Sequence, residues 1–391
     1  MMYGRNLSQC RGEMEYLQSH VILLQNVVIN SSKAAGVRRG GEDIIRVENQ
    51  KENMEYFTFT DGFVTTVCSG KSRLKEMFKL AYKQNRIAPT SMYSIITAID
   101  ELDGDRTVYE SSLEGLTVGI IRSDYANMYW TVMELYSAYL TAREMSRAAA
   151  ETTILILDAH PATGLDGLWE LLFKKVVRVG WLEITLLEQF ALVPHLKLVP
   201  IVQYTNPIPY IDDFQYDVSY RVGGFQGRQI DCDRIKITLV LRRNYVAHSR
   251  NLRGIIGRQF NNSDDLTRSL KSTFPKDLVR AVALETLTVS EQIRLASETD
   301  ILIGVHGAGL TLTLFQIPGT GLIELFTFDY RLYRNDHMER LAVLGSRLYT
   351  SWYSNNMFSN PVYVPPPVLM DMVVNTRGRI CSCTDSHHTI N

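Results

Sequence analysis

The sequence predicts an α/β protein of two Rossmann-like domains facing each other across a cleft. Two observations predict the pair of domains. Apolar runs of strand length alternate with segments of helical period, and this alternation occurs in both halves of the chain. A Gly-, Pro-, Asp- and Tyr-rich stretch at 204–234, with Pro207, Pro209, Gly223, Gly224 and Gly227, separates the halves. The length agrees: 391 residues suit two domains at roughly 100–200 each. With 45% hydrophobic and 21% charged residues, the chain can fill two cores. The division is 1–230 for the first domain, 231–355 for the second, and 356–391 for a tail that packs back on the first domain.

In the first half, residues 1–60 are polar and weakly patterned. A hairpin is expected over 56–67, split at Asp61-Gly62, then a helix over 72–102 and a short buried strand at 116–121. Met128, Val132, Leu135, Tyr139 and Leu140 recur at helical spacing, so 127–146 is a helix. Residues 153–157 form a buried strand ending at Asp158, and 168–177 a second helix. In the second half, strands are expected at 235–241, 281–284, 300–305 and 321–326. Helices are expected at 264–273, at 290–297 with Ser290 as cap, and from 309 to 315. This β-α-β-α-β order is that of a dinucleotide-type half.

Charge and cysteines narrow the class. The formal net charge of -1 provides no basic field to recruit nucleic acid or a membrane, so any anion site must be built locally. The apolar run at 21–28 is broken by Gln25 and Asn26, and neither a signal peptide nor a spanning helix is legible. Cys10, Cys68, Cys232, Cys381 and Cys383 are odd in number and scattered, with no paired zinc motif. Asn6, Asn30 and Asn261 begin glycosylation sequons, which permit a luminal location. Asp231-Cys-Asp233 matches Asp-x-Asp but lies in the polar junction, so no metal is expected.

The residues with chemistry to offer lie at predicted strand ends. An apolar strand runs into His306-Gly307-Ala308-Gly309 and then a helix. Glycines let the backbone approach a ligand closely, and a helix N-terminus presents free N–H groups, which together suit a diphosphate. The plainer alternative is a tight turn without a ligand. Glu324 interrupts an apolar strand, and a buried carboxylate needs a partner. A ribose diol would serve, as would a neighbouring arginine. Arg242 and Arg243 end the preceding strand and can present a planar fork to phosphate, one facing the ligand and the other solvent. In the first half, Asp124, Tyr125, Asn127, Trp130 and Glu134 cluster where the 127–146 helix begins. Glu134 could take a proton from an acceptor hydroxyl. Alternatively, Asp124 caps the helix and Glu134 is solvated.

These motifs together resemble glycosyltransferase family 61 over about residues 119–354. The most specific parts are Thr288-Val-Ser-Glu291-Gln292, Gly304-Val-His-Gly-Ala-Gly309 and Gly321-Leu-Ile-Glu324, continued by 337–340 and 348–352. The resemblance implies a GT-B fold and inverting, metal-independent transfer from a UDP-sugar, without a cofactor, to a glycan or glycoprotein. UDP-xylose and an N-glycan core come first. UDP-GlcNAc and a protein hydroxyl come second, as in a protein O-GlcNAc transferase of the same family. It maps the nucleotide site onto Arg242, Arg243, His306–Gly309 and Glu324, makes Glu134 and Asp124 the catalytic pair, and puts Tyr125, Asn127 and Trp130 on the acceptor side. It implies an ER or Golgi lumen, with membrane attachment only through an anchor absent from this chain. Trp130 stands where the family usually has His, so a catalytically silent glycan- or nucleotide-binding relative stays open. A Rossmann dehydrogenase fits poorly, because the glycine spacing is not G-x-G-x-x-G.

Overall fold

A computed structural model describes residues 21–47, 51–67, 94–95, 97–102, 108–193, 208–224, 227–327, 335–355 and 360–385. The chain divides into two compact units, Met1–Gln203 with His248–Leu252, and Tyr204–Ala247 with Arg253–Asn391. The division falls at the start of the polar junction rather than at its end. It also assigns a five-residue piece of the later chain to the first unit.

The strands of the first unit are β1 (Ile22–Ile29), β2 (Ala34–Ala35), β3 (Thr58–Phe59), β4 (Val64–Val67), β5 (Ile99–Leu102), β6 (Ser111–Ile120), β7 (Thr153–Ile156), β8 (Lys175–Arg178) and β9 (Thr185–Leu192). Seven of them form one sheet in the order β5-β4-β1-β9-β6-β7-β8, and β2 pairs with β3. Strands β6 to β9 are mutually parallel. Counted among themselves they run 3-2-1-4, the order of a Rossmann half. Helix α1 (Met128–Glu144) follows β6, and its fully buried Val132, Leu135, Tyr136 and Ala138 explain the spacing read from sequence. Helix α2 (Asp166–Leu172) follows β7.

Several expectations are corrected. Residues 56–67 are not a hairpin: the turn at Gly62 exists, with φ 82°, but β3 pairs with β2 while β4 pairs with β1 and β5. Of the helix expected over 72–102, residues 72–93 lie outside the described residues, and 99–102 are β5. The helix expected to Val177 ends at Leu172, and the β-branched pair Val176-Val177 continues as β8. Strand β1, inside the weakly patterned 1–60, lies mid-sheet between β4 and β9. Its Gln25, which breaks the apolar run, sits opposite Gln189 of β9.

The second unit holds helix α3 (Ile211–Arg221) within the expected loop, then β10 (Lys236–Leu241), α4 (Ser263–Thr273), β11 (Leu278–Ala283), α5 (Val289–Ser297), β12 (Ile301–Val305), a 3-10 helix (Ala308–Phe315), β13 (Gly321–Phe326), α6 (His337–Leu344), β14 (Leu348–Tyr353) and α7 (Pro366–Asp385). The sheet is parallel throughout in the order β11-β10-β12-β13-β14. Counted within the unit this is 2-1-3-4-5, the other common doubly wound order. The chain steps one way from β10 to β11 and the other way from β11 to β12. Right-handed crossovers therefore put α4 and α5 on opposite faces, with the reversal between β10 and β12. Thr288, not Ser290, caps α5: its hydroxyl accepts from Glu291 N at 3.3 Å while Glu291 Oε2 accepts from Thr288 N at 2.8 Å. That reciprocal pair leaves Ser290 inside the helix.

Helix α7 packs on α4 and on β12 to β14 of its own unit, where the sequence reading sends 356–391 back to the first domain. A Cys232–Cys381 disulfide and an Arg377 Nη2 bond to Cys232 O at 2.8 Å tie it there. The crosslink spans 149 residues of sequence. Breaking it with Cys381→Ser should lower the stability of this unit by about 2–4 kcal/mol. The Cys232→Ser, Cys381→Ser double variant should lose no more than the single one, as read by urea unfolding.

Candidate functional site

In doubly wound sheets, ligands bind at the carboxyl ends of the strands where the order reverses. In the second unit that place is the edge shared by β10 and β12. The chain leaves β10 as Arg242-Arg243 and leaves β12 as His306–Gly309. Arg243 is exposed, whereas Arg242 is half-buried against Gly307. A β-carbon on residue 307 would stand 2.0 Å from Arg242 Nη1, so the glycine makes room for the guanidinium. Gly304 and Gly309 have a packing reason instead: β-carbons there would meet Leu310 at 2.8 Å and Leu284 at 2.9 Å. The Arg242 Nε is buried without a hydrogen-bond partner among the described residues. Burial first, and then the charge of Arg258, draw this guanidinium below its ordinary value. The 3-10 helix starts at Ala308, and no side chain caps its first N–H groups.

His306 is buried on the same edge, and the structure gives its neighbour Glu324 partners the sequence reading did not. Glu324 Oε1 lies 2.6 Å from His306 Nδ1, and Glu324 Oε2 accepts from Tyr349 Oη at 2.7 Å. The carboxylate has no solvent exposure. Glu324 therefore holds His306 and Tyr349 together. Phe326 stacks on the imidazole at 4.8 Å and on Tyr353 at 4.3 Å, which fixes the ring plane. Burial, followed by the Glu324 charge, raises the Tyr349 phenol well above its usual range.

The matching edge of the first unit follows β6 and β7. Arg122, fully buried, meets Asp158 at 2.7 Å and Asp166 at 2.7 Å, and Arg178 meets Asp166 at 2.7 Å. Burial pushes the Asp158 carboxyl up, but Arg122 outweighs it and holds it down at about 2. This network spends its charges internally. Beyond it, Asn127 rather than Asp124 caps α1, accepting from Tyr129 N at 3.0 Å. Asp124 Oδ1 accepts from Ala126 N at 3.2 Å and lies 3.4 Å from His248 Nε2, with both side chains about a quarter exposed.

Tyr125, expected on the acceptor side, is buried. Its hydroxyl lies 3.3 Å from Glu55 Oε1 and 3.4 Å from Ser249 Oγ, and its ring packs on His160 at 4.7 Å and His248 at 5.1 Å. Trp130 is partly exposed and meets Tyr129 edge-on at 5.3 Å. Glu134 turns back onto Ser123, accepting from its N at 2.7 Å and its Oγ at 2.6 Å, and Oε2 is shut off from solvent. Burial raises this carboxyl to about 8 despite the Ser123 bonds. At neutral pH it is mostly protonated and poorly placed to take a proton.

Residues 148–323 match the family model described as Glycosyltransferase 61. The chain is 21% identical over 435 residues to a β-1,2-xylosyltransferase of Arabidopsis thaliana, covering 90% of this chain and 76% of that one. It is 22% identical to the β-1,2-xylosyltransferase RCN11 of Oryza sativa subsp. japonica, over 75% of this chain and 61% of that one. A shorter stretch of 101 residues is 35% identical to an EGF domain-specific O-linked N-acetylglucosamine transferase of Drosophila melanogaster, covering 26% of this chain and 18% of that protein.

Over residues 148–323 the chain is similar to glycosyltransferase family 61.

Family and relatives together make it a glycosyltransferase. The span matched by the family model contains Arg242, Arg243 and His306–Gly309 and stops one residue short of Glu324. Asp124, Tyr125, Asn127, Trp130 and Glu134 precede it. Among the described residues, no group of three or more His, Cys, Asp and Glu side chains is arranged to hold a metal ion. Asp231 of the literal Asp-x-Asp accepts from Asp233 N at 3.0 Å in a turn.

Sequence reasoning missed Glu55, His160 and His248, which surround Tyr125. Glu55 Oε2 lies 3.2 Å from His160 Nδ1, and both side chains are buried. His160 had a signal, two residues past the strand-ending Asp158. Glu55 and His248 had none, one lying in unpatterned sequence and the other far along the chain. Tyr349→Phe should leave a buried Glu324 oxygen without its donor and cost about 1–3 kcal/mol in chemical denaturation.

Glu134 makes a pH prediction with a definite sign. Its folded value, about 8, lies above the ordinary 4.5. The stability it contributes is full below 4.5 and is lost as pH rises through 8. Against Glu134→Gln, whose amide resembles the protonated acid, wild-type melting temperature should therefore fall across that window, as measured by calorimetry at a series of pH values.

Proposed function

We propose that the protein transfers a sugar from a UDP-sugar to a glycan hydroxyl with inversion, in a single displacement without a resident metal. The observation that carries this is the half-buried, unneutralised Arg242 against Gly307 at the β10–β12 reversal. A guanidinium with a buried, unpaired N–H is costly unless an anion meets it. A diphosphate there would take its charge from Arg242 and from the uncapped start of the 3-10 helix. In this reading the fold is of the GT-B type, the second unit supplying donor-side residues and the first unit acceptor-side residues.

Both members of the expected catalytic pair remain, but with separate roles. Asp124, part-exposed at the end of β6, takes the acceptor proton, while Glu134 anchors Ser123 behind it. The acceptor oxygen attacks the anomeric carbon, the bond from that carbon to the β-phosphate oxygen breaks, and UDP leaves with the electron pair. Arg242 stabilises that departing charge. The names of the Arabidopsis and rice relatives favour UDP-xylose as donor, and their greater coverage of this chain ranks it above UDP-GlcNAc. An N-glycan core is the proposed acceptor. The Cys232–Cys381 disulfide supports an oxidising compartment, hence the ER or Golgi lumen.

The test is incubation with labelled UDP-xylose and a mannose-terminated N-glycan, followed by mass spectrometry of the product. Asp124→Asn should remove turnover by at least 100-fold while leaving UDP affinity within about twofold. Arg242→Ala and Gly307→Ala should each weaken UDP binding about tenfold or more, since each removes a charge-assisted contact. Retained UDP binding with no transfer to any glycan would sink the enzyme reading in favour of a silent binding relative.

A further inference from the structure

In the first unit, the short piece His248–Leu252 is fixed by one buried residue. Ser249 has almost no solvent exposure. Its N donates to Tyr125 Oη at 3.4 Å, and its Oγ lies 3.4 Å from the same hydroxyl and donates to Glu55 Oε1 at 3.5 Å. Tyr125 is gripped in turn, its carbonyl accepting from Thr163 Oγ1 at 3.0 Å and its Oη donating to Glu55 Oε1 at 3.3 Å. The piece also closes on itself, with Asn251 N donating to His248 O at 2.9 Å. Ser249 and Tyr125 each have a neighbour in sequence, and this clamp sets the two neighbours face to face. His248 Nε2 lies 3.4 Å from Asp124 Oδ1, and the imidazole meets the Tyr125 ring edge-on at 5.1 Å.

The surroundings decide what His248 can offer. Its Nδ1 is shut off from solvent and has no hydrogen-bond partner among the described residues. A proton on Nδ1 would be a buried donor with nothing to receive it, while the bare Nε2 would face a carboxylate. The neutral ring with its proton on Nε2 avoids both costs. The charged groups around the ring leave that balance in place. Burial first draws the imidazole below its ordinary value, Asp124 and Glu55 act the other way, and Arg250 and His160 act with burial. Glu55 is itself engaged, 3.2 Å from His160 Nδ1 and 4.0 Å from Arg250 Nη2. On the other side of the contact, the Ala126 amide meets the same carboxylate oxygen as His248, Oδ1, at 3.2 Å. Among the described residues this leaves Asp124 Oδ2 as the oxygen open to a substrate.

We propose that His248 is a positioning residue for the transfer: its Nε2–H and the Ala126 amide pin Asp124 Oδ1, so that Oδ2 meets the acceptor hydroxyl. The inference rests on the reading of Asp124 as the proton acceptor. The imidazole does not take the proton itself, since Nε2 already carries one and Nδ1 is closed in. The 3.4 Å separation is long for a hydrogen bond, and contacts of this kind tighten in the complex with substrate. The Ser249 anchor and the edge-on contact with Tyr125 hold the ring in place, so the carboxylate is oriented before the acceptor arrives. Losing such orientation slows the chemical step and leaves binding nearly untouched.

The experiment measures transfer from labelled UDP-xylose to a mannose-terminated N-glycan by wild type, Asp124→Asn, His248→Ala, His248→Gln and the Asp124→Asn, His248→Ala double variant, with a melting curve for each. Gln is chosen because its amide N–H reaches nearly as far as Nε2 and does not titrate. His248→Ala should lower kcat about 10- to 100-fold, with acceptor KM and UDP affinity within about twofold of wild type. His248→Gln should recover most of that loss, and its kcat should follow pH as the wild type does. In the Asp124→Asn background, His248→Ala should cost nothing further, because the two residues act as one unit. Nitrogen NMR spectra of histidine-labelled protein, assigned through His248→Gln, should show His248 neutral at neutral pH with its proton on Nε2, a readout that needs no turnover. Wild-type kcat in His248→Ala removes His248 from the reaction. A folded His248→Gln as slow as His248→Ala, a further loss in the double variant, or spectra with Nδ1 protonated each overturn the positioning role. Full turnover by Asp124→Asn, or none by the wild type, is instead the failure of the reading beneath it.

Discussion

A guanidinium occupies space that a β-carbon on residue 307 would need, and much of the second unit is arranged around that approach. Gly307 leaves open the space that Arg242 Nη1 takes up, 2.0 Å from where a β-carbon would stand. Arg242 reaches that point because β10 and β12 are neighbours, and they are neighbours because the strand order reverses between them. Burying the charge without a carboxylate is a cost that packing elsewhere must offset. It does so through Leu239, Ile301, Ile303, Ile323 and Leu325, fully buried beneath the edge in one continuous core.

The two units treat charge in opposite ways at their strand ends. In the first, Arg122, Asp158, Asp166 and Arg178 satisfy one another, and Asp158 is held down at about 2 by its arginine. Such a network positions loops and offers no charge to a ligand. What it leaves over is Asp124, facing His248 at 3.4 Å and still part-exposed. In the second, the carboxylate is the satisfied group, with Glu324 spent on His306 and Tyr349, and the cation is left over.

The second unit was largely legible from sequence because parallel strands buried on both faces read as unbroken apolar runs. The strand at Gly321–Phe326 emerges with the boundaries expected of it, and the turn after β12 carries its own glycine signature. The first unit was less legible. β1 is interrupted by Gln25, which finds Gln189 across the sheet, a pairing no local window can reveal. Site residues divide the same way. Arg242 and His306 follow apolar strands directly and declare themselves by position. Glu324 was noticed for the right reason, a carboxylate in an apolar strand, but its partners were His306 and Tyr349, 18 and 25 residues away in sequence. His248 lies in irregular chain and acquires meaning only when it is folded back onto Tyr125 and Asp124.

The tryptophan at 130 falls at the start of α1, between Asp124 and Glu134 in sequence. Trp130 lies in the first turn of α1 and packs edge-on against Tyr129. If the proton acceptor were Glu134, one turn further along the same helix, a change at 130 would alter its immediate surroundings. Glu134 is instead turned onto Ser123 and largely protonated at neutral pH. Asp124 lies off the helix, in the turn before it, where it accepts from the Ala126 amide and faces His248. Where the family usually has histidine, this chain places tryptophan. What that alters is the partly exposed surface beside the helix start, where a large flat ring replaces a smaller polar one.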